Sequence, residues 1–201
     1  PANVRYVGPQ LDDPAWFAPW EPAPWGNDNL PLVLVSLSTT YQQQADVIRR
    51  VIVALAELPV RGLVTLGPAL DSKRSPLPSN VRVEPYAPHV LICPHADLVI
   101  THGGHGTVIT ALKAGVPLVC LPMGRDQADN AARVVWRGAG VRRSSKADAL
   151  TLRRAIQQVL GEPRFRESAQ RIASGIAHDV APTQAIAELE NLASPLARVS
   201  E

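Results

Sequence analysis

Between residues 32 and 143, short apolar runs alternate with segments whose apolar residues recur every three or four positions. The runs at 32–37 (LVLVSL), 62–67 (GLVTLG), 81–86 (VRVEPY), 98–101 (LVIT), 117–122 (PLVCLP) and 139–143 (AGVRR) are short and bounded by turn residues. Most lack a polar face, as strands covered on both sides do. Between them the spacing predicts helices. One spans 42–58, with Val47, Ile48, Val51, Ile52 and Leu55 in phase. A second spans 106–115, stopped by Gly115 and Pro117, and a third spans 126–138, ended near Gly138. Only helical patterns follow, over 147–160 with Asp148 placed to favour its start, 163–178 and 183–193. Residues 68–80 read as a loop. Strand–helix alternation with buried strands predicts an α/β domain of three layers, Rossmann-like, with a parallel sheet of about six strands.

Ahead of this pattern, 4–8 reads as a short strand or an incoming linker. The segment 9–31 holds many prolines with Trp16, Trp20 and Trp25. No regular helix accommodates that proline density. Residues 1–31 are therefore expected to be a linker that wraps the surface of a domain spanning 32–201. Its tryptophans either clip onto that domain or face something absent. The chain opens on Pro1 with no methionine and reads as a fragment.

Composition narrows the class. Hydrophobic residues at 46% and charged residues at 19% supply a sizeable core. Twenty lysines and arginines against 18 acids leave a net charge of +2 with no basic stripe, which argues against nucleic acid as a partner. No apolar run is long enough to span a membrane, and no signal peptide opens the chain. Cys93 and Cys120 lie in apolar settings and read as buried reduced thiols, so a cytoplasmic location is expected.

In parallel sheets of this kind ligands bind beyond the carboxyl ends of the strands. Four such ends carry chemistry. After strand 98–101 comes His102-Gly103-Gly104-His105-Gly106-Thr107, and then a helix. Glycines there permit a sharp turn and a close ligand, and a helix start offers unpaired N–H groups and partial positive charge. An anion, usually a phosphate, is the natural partner, with donors from Thr107 and His102. The spacing is neither G-x-G-x-x-G nor a P-loop. After strand 117–122, Asp126 and Gln127 either begin a helix as caps or address vicinal hydroxyls, with Asn130 one turn on. After the first strand, Ser38, Thr39 and Thr40 either cap a helix or reach a phosphate. After the third, Tyr86 either packs or stacks on a base. His89, His95, His102 and His105 fall close together in sequence but straddle a strand and two loops, so no metal site is expected.

The stretch ADLVITHGGHGTVITALKAGVPLVCLPMGRDQADNAARVVWRGAGV closely resembles the C-terminal half of the nucleotide-sugar-dependent glycosyltransferases that include plant secondary-product enzymes and bacterial antibiotic and glycolipid enzymes. VRYVGP, LVLVSLSTTY and VRVEPYAPH fit as well, so the likeness covers most of residues 3–143. The resemblance implies one half of a GT-B fold of the family 1 type. This half would bind a UDP- or dTDP-sugar, while an absent N-terminal domain would hold a small-molecule acceptor and the general base. The isolated chain would then not turn over. It further implies that His102 meets the donor diphosphate, and that Gly103, Gly104, His105, Gly106 and Thr107 form the phosphate cradle. Ser38 or Thr39 would approach from the first loop. Tyr86 and Ala87 would flank the base, and Asp126 and Gln127 would meet sugar hydroxyls.

The implied chemistry is a metal-independent, inverting displacement of a hexose or deoxyhexose, with no cofactor. Plant members usually carry tryptophan at the stacking position, where this chain has Tyr86. They also carry a ribose-gripping glutamate at the position of Thr110, which leans the reading toward dTDP. Two other classes stay open: an epimerase acting on a nucleotide sugar, and a non-catalytic partner module of a split transferase.

Overall fold

The computed structural model describes residues 29–37, 44–66, 76–179 and 182–193, together with the isolated positions 4, 7–9, 15 and 19. Ser38 and Thr39 lie outside the described residues, as does most of the proline- and tryptophan-rich segment. The described chain runs β1 (Leu32–Ser36), α1 (Ala45–Ala56), β2 (Arg61–Thr65), β3 (Val81–Glu84), α2 (His89–Ile92), β4 (Leu98–Thr101), α3 (His105–Lys113), β5 (Leu118–Cys120), α4 (Gln127–Trp136), β6 (Gly140–Arg142), α5 (Ala149–Gly161), α6 (Pro163–Asp179) and α7 (Pro182–Ala193).

The six strands form one sheet in the order β3-β2-β1-β4-β5-β6, and every pairing is parallel. β1 is the pivot: Ser36 lies beside Thr65 of β2 on one flank and Thr101 of β4 on the other. The chain thus winds outward from β1 in one direction and then, through β4, in the other. That reversal makes β1 and β4 the switch point where a crevice opens beyond the strand ends.

Side chains alternate across this sheet with period two. Val33 and Val35 of β1, with Leu98 and Ile100 of β4, pack on one face under α1 and α5, against Val51, Leu55, Leu152 and Ile156. Leu32, Leu34 and Val99 point the other way, toward Ile92, Val108, Leu112, Val134 and Ala169 of α2, α3, α4 and α6. All residues of β1 and β4 are buried, which explains their unbroken apolar character in the sequence.

The expected elements are present, each shifted at its ends by up to about three residues, as helix and strand termini do. Asp148 caps α5, its carboxylate accepting from Thr151 N at 2.8 Å. The sequence pattern misses α2 and the 3-10 turn Cys93–His95 that continues it. Pro88 stands at the N-cap of α2 and Pro94 within the first turn of the 3-10 segment, so each piece is too short to display a period. Cys93 and Cys120 are buried free thiols, and burial pushes each up to about 12. Among the described residues no helix is long and apolar enough to cross a membrane.

Candidate functional site

The carboxyl ends of β4 and β5 deliver two loops that are bolted to one another. Beyond β4 the backbone turns at Gly103, where φ is +91°. A Cβ there would lie 2.9 Å from the Gln127 carbonyl oxygen, so only glycine lets this turn press against the start of α4. Gly103 N donates to Thr101 Oγ1 at 3.3 Å. A Cβ on Gly104 would sit 2.4 Å from His102 Nε2. The imidazole therefore folds over the Gly104 backbone, directly beside the first turn of α3. At Gly106 an added Cβ would meet nothing within 4 Å. Nothing in the described protein demands glycine there, and the space above it is open.

The N-cap of α3 is Gly104, which has no side chain to offer. Among the described residues nothing caps the first amides of α3, and His105 and Gly106 are exposed. Those N–H groups carry the positive end of the helix dipole into the crevice.

The β5–α4 loop is built differently. Gln127 is 2% exposed, and its Oε1 accepts from Met123 N at 2.8 Å and Gly124 N at 3.1 Å. The side chain ties its own loop together instead of presenting itself to solvent. This engages the Gln127 side-chain carbonyl oxygen in bracing the loop. Asp126 occupies the N-cap position of α4 in helical conformation and makes no capping bond. Its Oδ2 instead accepts from Asn130 Nδ2 at 2.8 Å, which leaves an exposed carboxylate at the sheet edge.

Asn130, 8% exposed, also donates to Gly103 O at 3.0 Å, and its Oδ1 accepts from Arg133 at 3.2 Å. It is the rivet between the two loops. The sequence offers only its i+4 spacing from Asp126 as a signal. Asn130 faces Asp126 from one turn on, and its partners are protein atoms.

His102 is half-buried, and loss of hydration holds its pKa below the usual 6.5. A hydrogen bond to the Ser36 backbone and the Asp126 carboxylate oppose that shift, and the Arg125 charge adds to it. His89 is also lowered by burial. Its Nε2 lies 3.3 Å from Thr65 Oγ1, which itself donates to Val35 O, so the ring nitrogen is the donor.

Tyr86 projects from the end of β3 with 67% of its surface exposed, while Ala87 is buried. Three strand spacings, about 14 Å, separate the β3 end from the β4 end, and β5 lies one further on. An elongated ligand could lie along this edge from Tyr86 past His102 to Asp126. Thr107 and Thr110 sit half-buried one turn apart on α3. Among the described residues no three histidine, cysteine or carboxylate side chains converge to hold a metal, so the histidine cluster of the sequence does not assemble. A cavity of about 610 Å³ between α3, α4 and α6 reaches this region only through His105 and Asn130.

Residues 49–192 match the family described as erythromycin biosynthesis protein CIII-like, C-terminal domain. The 4'-demethylrebeccamycin synthase of Lentzea aerocolonigenes is 40% identical over 199 residues, which is 96% of this chain and 46% of that protein. Among solved structures, the calicheamicin glycosyltransferase CalG4 superposes with a TM-score of 0.82 at 30% identity, covering 98% of this chain and 48% of that one. A spinosyn rhamnosyltransferase complexed with thymidine diphosphate superposes with a TM-score of 0.72 at 26% identity, covering 80% of this chain and 45% of that one. The chain thus spans about half the length of the relatives it matches.

Proposed function

The chain belongs to the erythromycin biosynthesis protein CIII-like family, as its C-terminal, nucleotide-sugar-binding GT-B domain, and from that premise we propose that it binds a dTDP-sugar along the carboxyl edge of its sheet for transfer to a small-molecule acceptor. The observation that carries this reading is the uncapped, exposed start of α3 at the sheet's switch point, with the His102 ring folded over its N-cap glycine.

In this reading the diphosphate lies over 103–107, with the Thr107 hydroxyl as a further donor. The base stacks on Tyr86, with its edge against the backbone near Ala87, and the sugar meets Asp126. Gln127 acts by holding the loop that carries Asp126. Ser38 or Thr39 approaches the phosphates from beyond β1. A thymidine diphosphate complex of a structural neighbour and the uncharged Thr110 on the ribose side of α3 favour dTDP over UDP.

The transfer is an inverting displacement of a hexose or deoxyhexose. Backbone dipoles stabilise the departing diphosphate without a metal ion. The proton of the acceptor leaves to a base on a separate N-terminal domain, so residues 32–201 alone bind donor and do not turn it over. The family match favours this reading over an epimerase.

The test is a titration with dTDP, UDP and GDP, with and without magnesium, followed by amide NMR. The expected result is metal-independent binding of dTDP that moves resonances of residues 102–108. Binding that moves none of them overturns the proposal.

A further inference from the structure

Arg125 stands out in the β5–α4 loop. Among the described residues it is the single non-glycine with positive φ, at 54°. Left-handed backbone is unfavourable for a side chain such as arginine and persists where the surroundings fix it. Here they do. Met123 N and Gly124 N both donate to Gln127 Oε1, which pins the residues immediately before Arg125, and Asn130 ties Asp126 to the Gly103 turn. The side chain is exposed, and among the described residues it has no carboxylate partner. Its neighbour Asp126 is bonded to Asn130 instead. Asp126, the next residue, is tied through Asn130 to the Gly103 turn, so Arg125 sits in the loop segment fastened to the start of α3.

The proposed donor site needs such a group. A nucleoside diphosphate brings more negative charge than a helix start, worth about half a positive charge, can offset. Burial lowers the pKa of His102 and so disfavours its charged form. A neutral ring donates one hydrogen bond and no charge. A guanidinium supplies both, with a geometry that suits phosphate oxygens.

We propose that Arg125 is the cation of the diphosphate site, its guanidinium closing on the terminal phosphate held over the start of α3. This rests on the donor-site reading above. The fixed left-handed backbone then sets the direction in which the side chain leaves the loop.

The test measures affinities for dTDP and for thymidine by calorimetry at low and moderate salt, using the whole chain and its R125A, R125G and R125K variants, with circular dichroism to confirm folding. R125A and R125G are each expected to weaken dTDP roughly tenfold and to leave thymidine within about twofold. R125K should stay within about threefold of the parent, and the loss should shrink as salt rises. R125G separates charge from backbone, since it relieves the left-handed conformation while removing the guanidinium. If R125G binds dTDP like the parent, or if R125A weakens thymidine as much as dTDP, the inference is overturned while the donor site stands. A parent chain that does not bind dTDP overturns the donor-site reading and this inference with it.

Discussion

The β4–α3 turn and the β5–α4 loop sit on adjacent strands of one sheet edge, and each feeds a helix that no described side chain caps. They solve the same problem in opposite ways. The β5–α4 loop satisfies itself: Gln127 is swallowed to serve Met123 N and Gly124 N, and Asn130 collects Asp126 and Gly103. The β4–α3 turn leaves its helix amides open and spends glycines where side chains would close them. The Met123 and Gly124 amides find their acceptor within the protein, whereas the exposed start of α3 stays free to meet a ligand. One loop is thus a brace, and the other is the proposed phosphate cradle to which Asn130 ties it.

That contrast breaks most visibly under Gly103→Ala and Gln127→Ala. Alanine at 103 meets both a left-handed backbone and the Gln127 carbonyl, which it cannot displace without moving α4. The expected cost is about 2–3 kcal/mol of stability by urea unfolding, together with loss of dTDP binding. Gln127→Ala strips two loop amides of their acceptor and is expected to cost about 1–3 kcal/mol while leaving the α3 amides in place. Its dTDP affinity should therefore fall less than that of Gly103→Ala. Equal losses of affinity would mean that the two loops are not brace and cradle but one unit.

A smaller effect separates the two histidines. Both His89 and His102 have folded-state pKa values lowered by burial, so between those values and the ordinary 6.5 the unfolded chain binds more protons than the folded one. Stability from these groups is complete above pH 6.5 and is lost as the pH falls through the folded values. His89→Gln keeps a donor for Thr65 Oγ1 and removes the titration, so the acid slope of the urea midpoint should flatten. The slope that remains belongs in part to His102, and dTDP should reduce it, because a diphosphate beside the ring favours its protonated form. A residual slope that ignores dTDP would separate His102 from the ligand.

Much of this architecture is readable in the sequence for physical reasons. β1 and β4 are covered on both faces, so they are written as unbroken apolar runs. The amphipathic spacing of α1 survives because one of its faces meets the sheet. α2 is not readable, since its four residues, just after Pro88, show no period. At the site, the glycines and histidines of 102–106 announce themselves because they are poor choices for a plain strand-to-helix join. The split of labour between Asp126, Gln127 and Asn130 does not, because an amide that braces a loop and an amide that grips a sugar are the same residue type. Only burial distinguishes them. Arg125 is silent for a related reason: nothing in an arginine signals a left-handed backbone.

The mildest expected effect sharpens the cradle's far wall. Thr110 lies on α3 one turn beyond Thr107, half-buried and mid-helix, where its substitution touches neither the open amides nor the brace. If the ribose of the donor runs past this face, Thr110→Glu introduces an acceptor for two vicinal hydroxyls, which uridine has and thymidine lacks at the 2′ position. The ratio of UDP to dTDP affinity should then rise by about tenfold, the worth of one charge-assisted hydrogen bond. Stability should change by about 0.5 kcal/mol or less, because the site is neither a cap nor core. The comparison is internal, since both nucleotides share the diphosphate and its contacts with 103–107 cancel in the ratio. A ratio that does not move would place the ribose away from α3, so that the nucleotide enters the cradle from the β5 side and Tyr86 is no base platform.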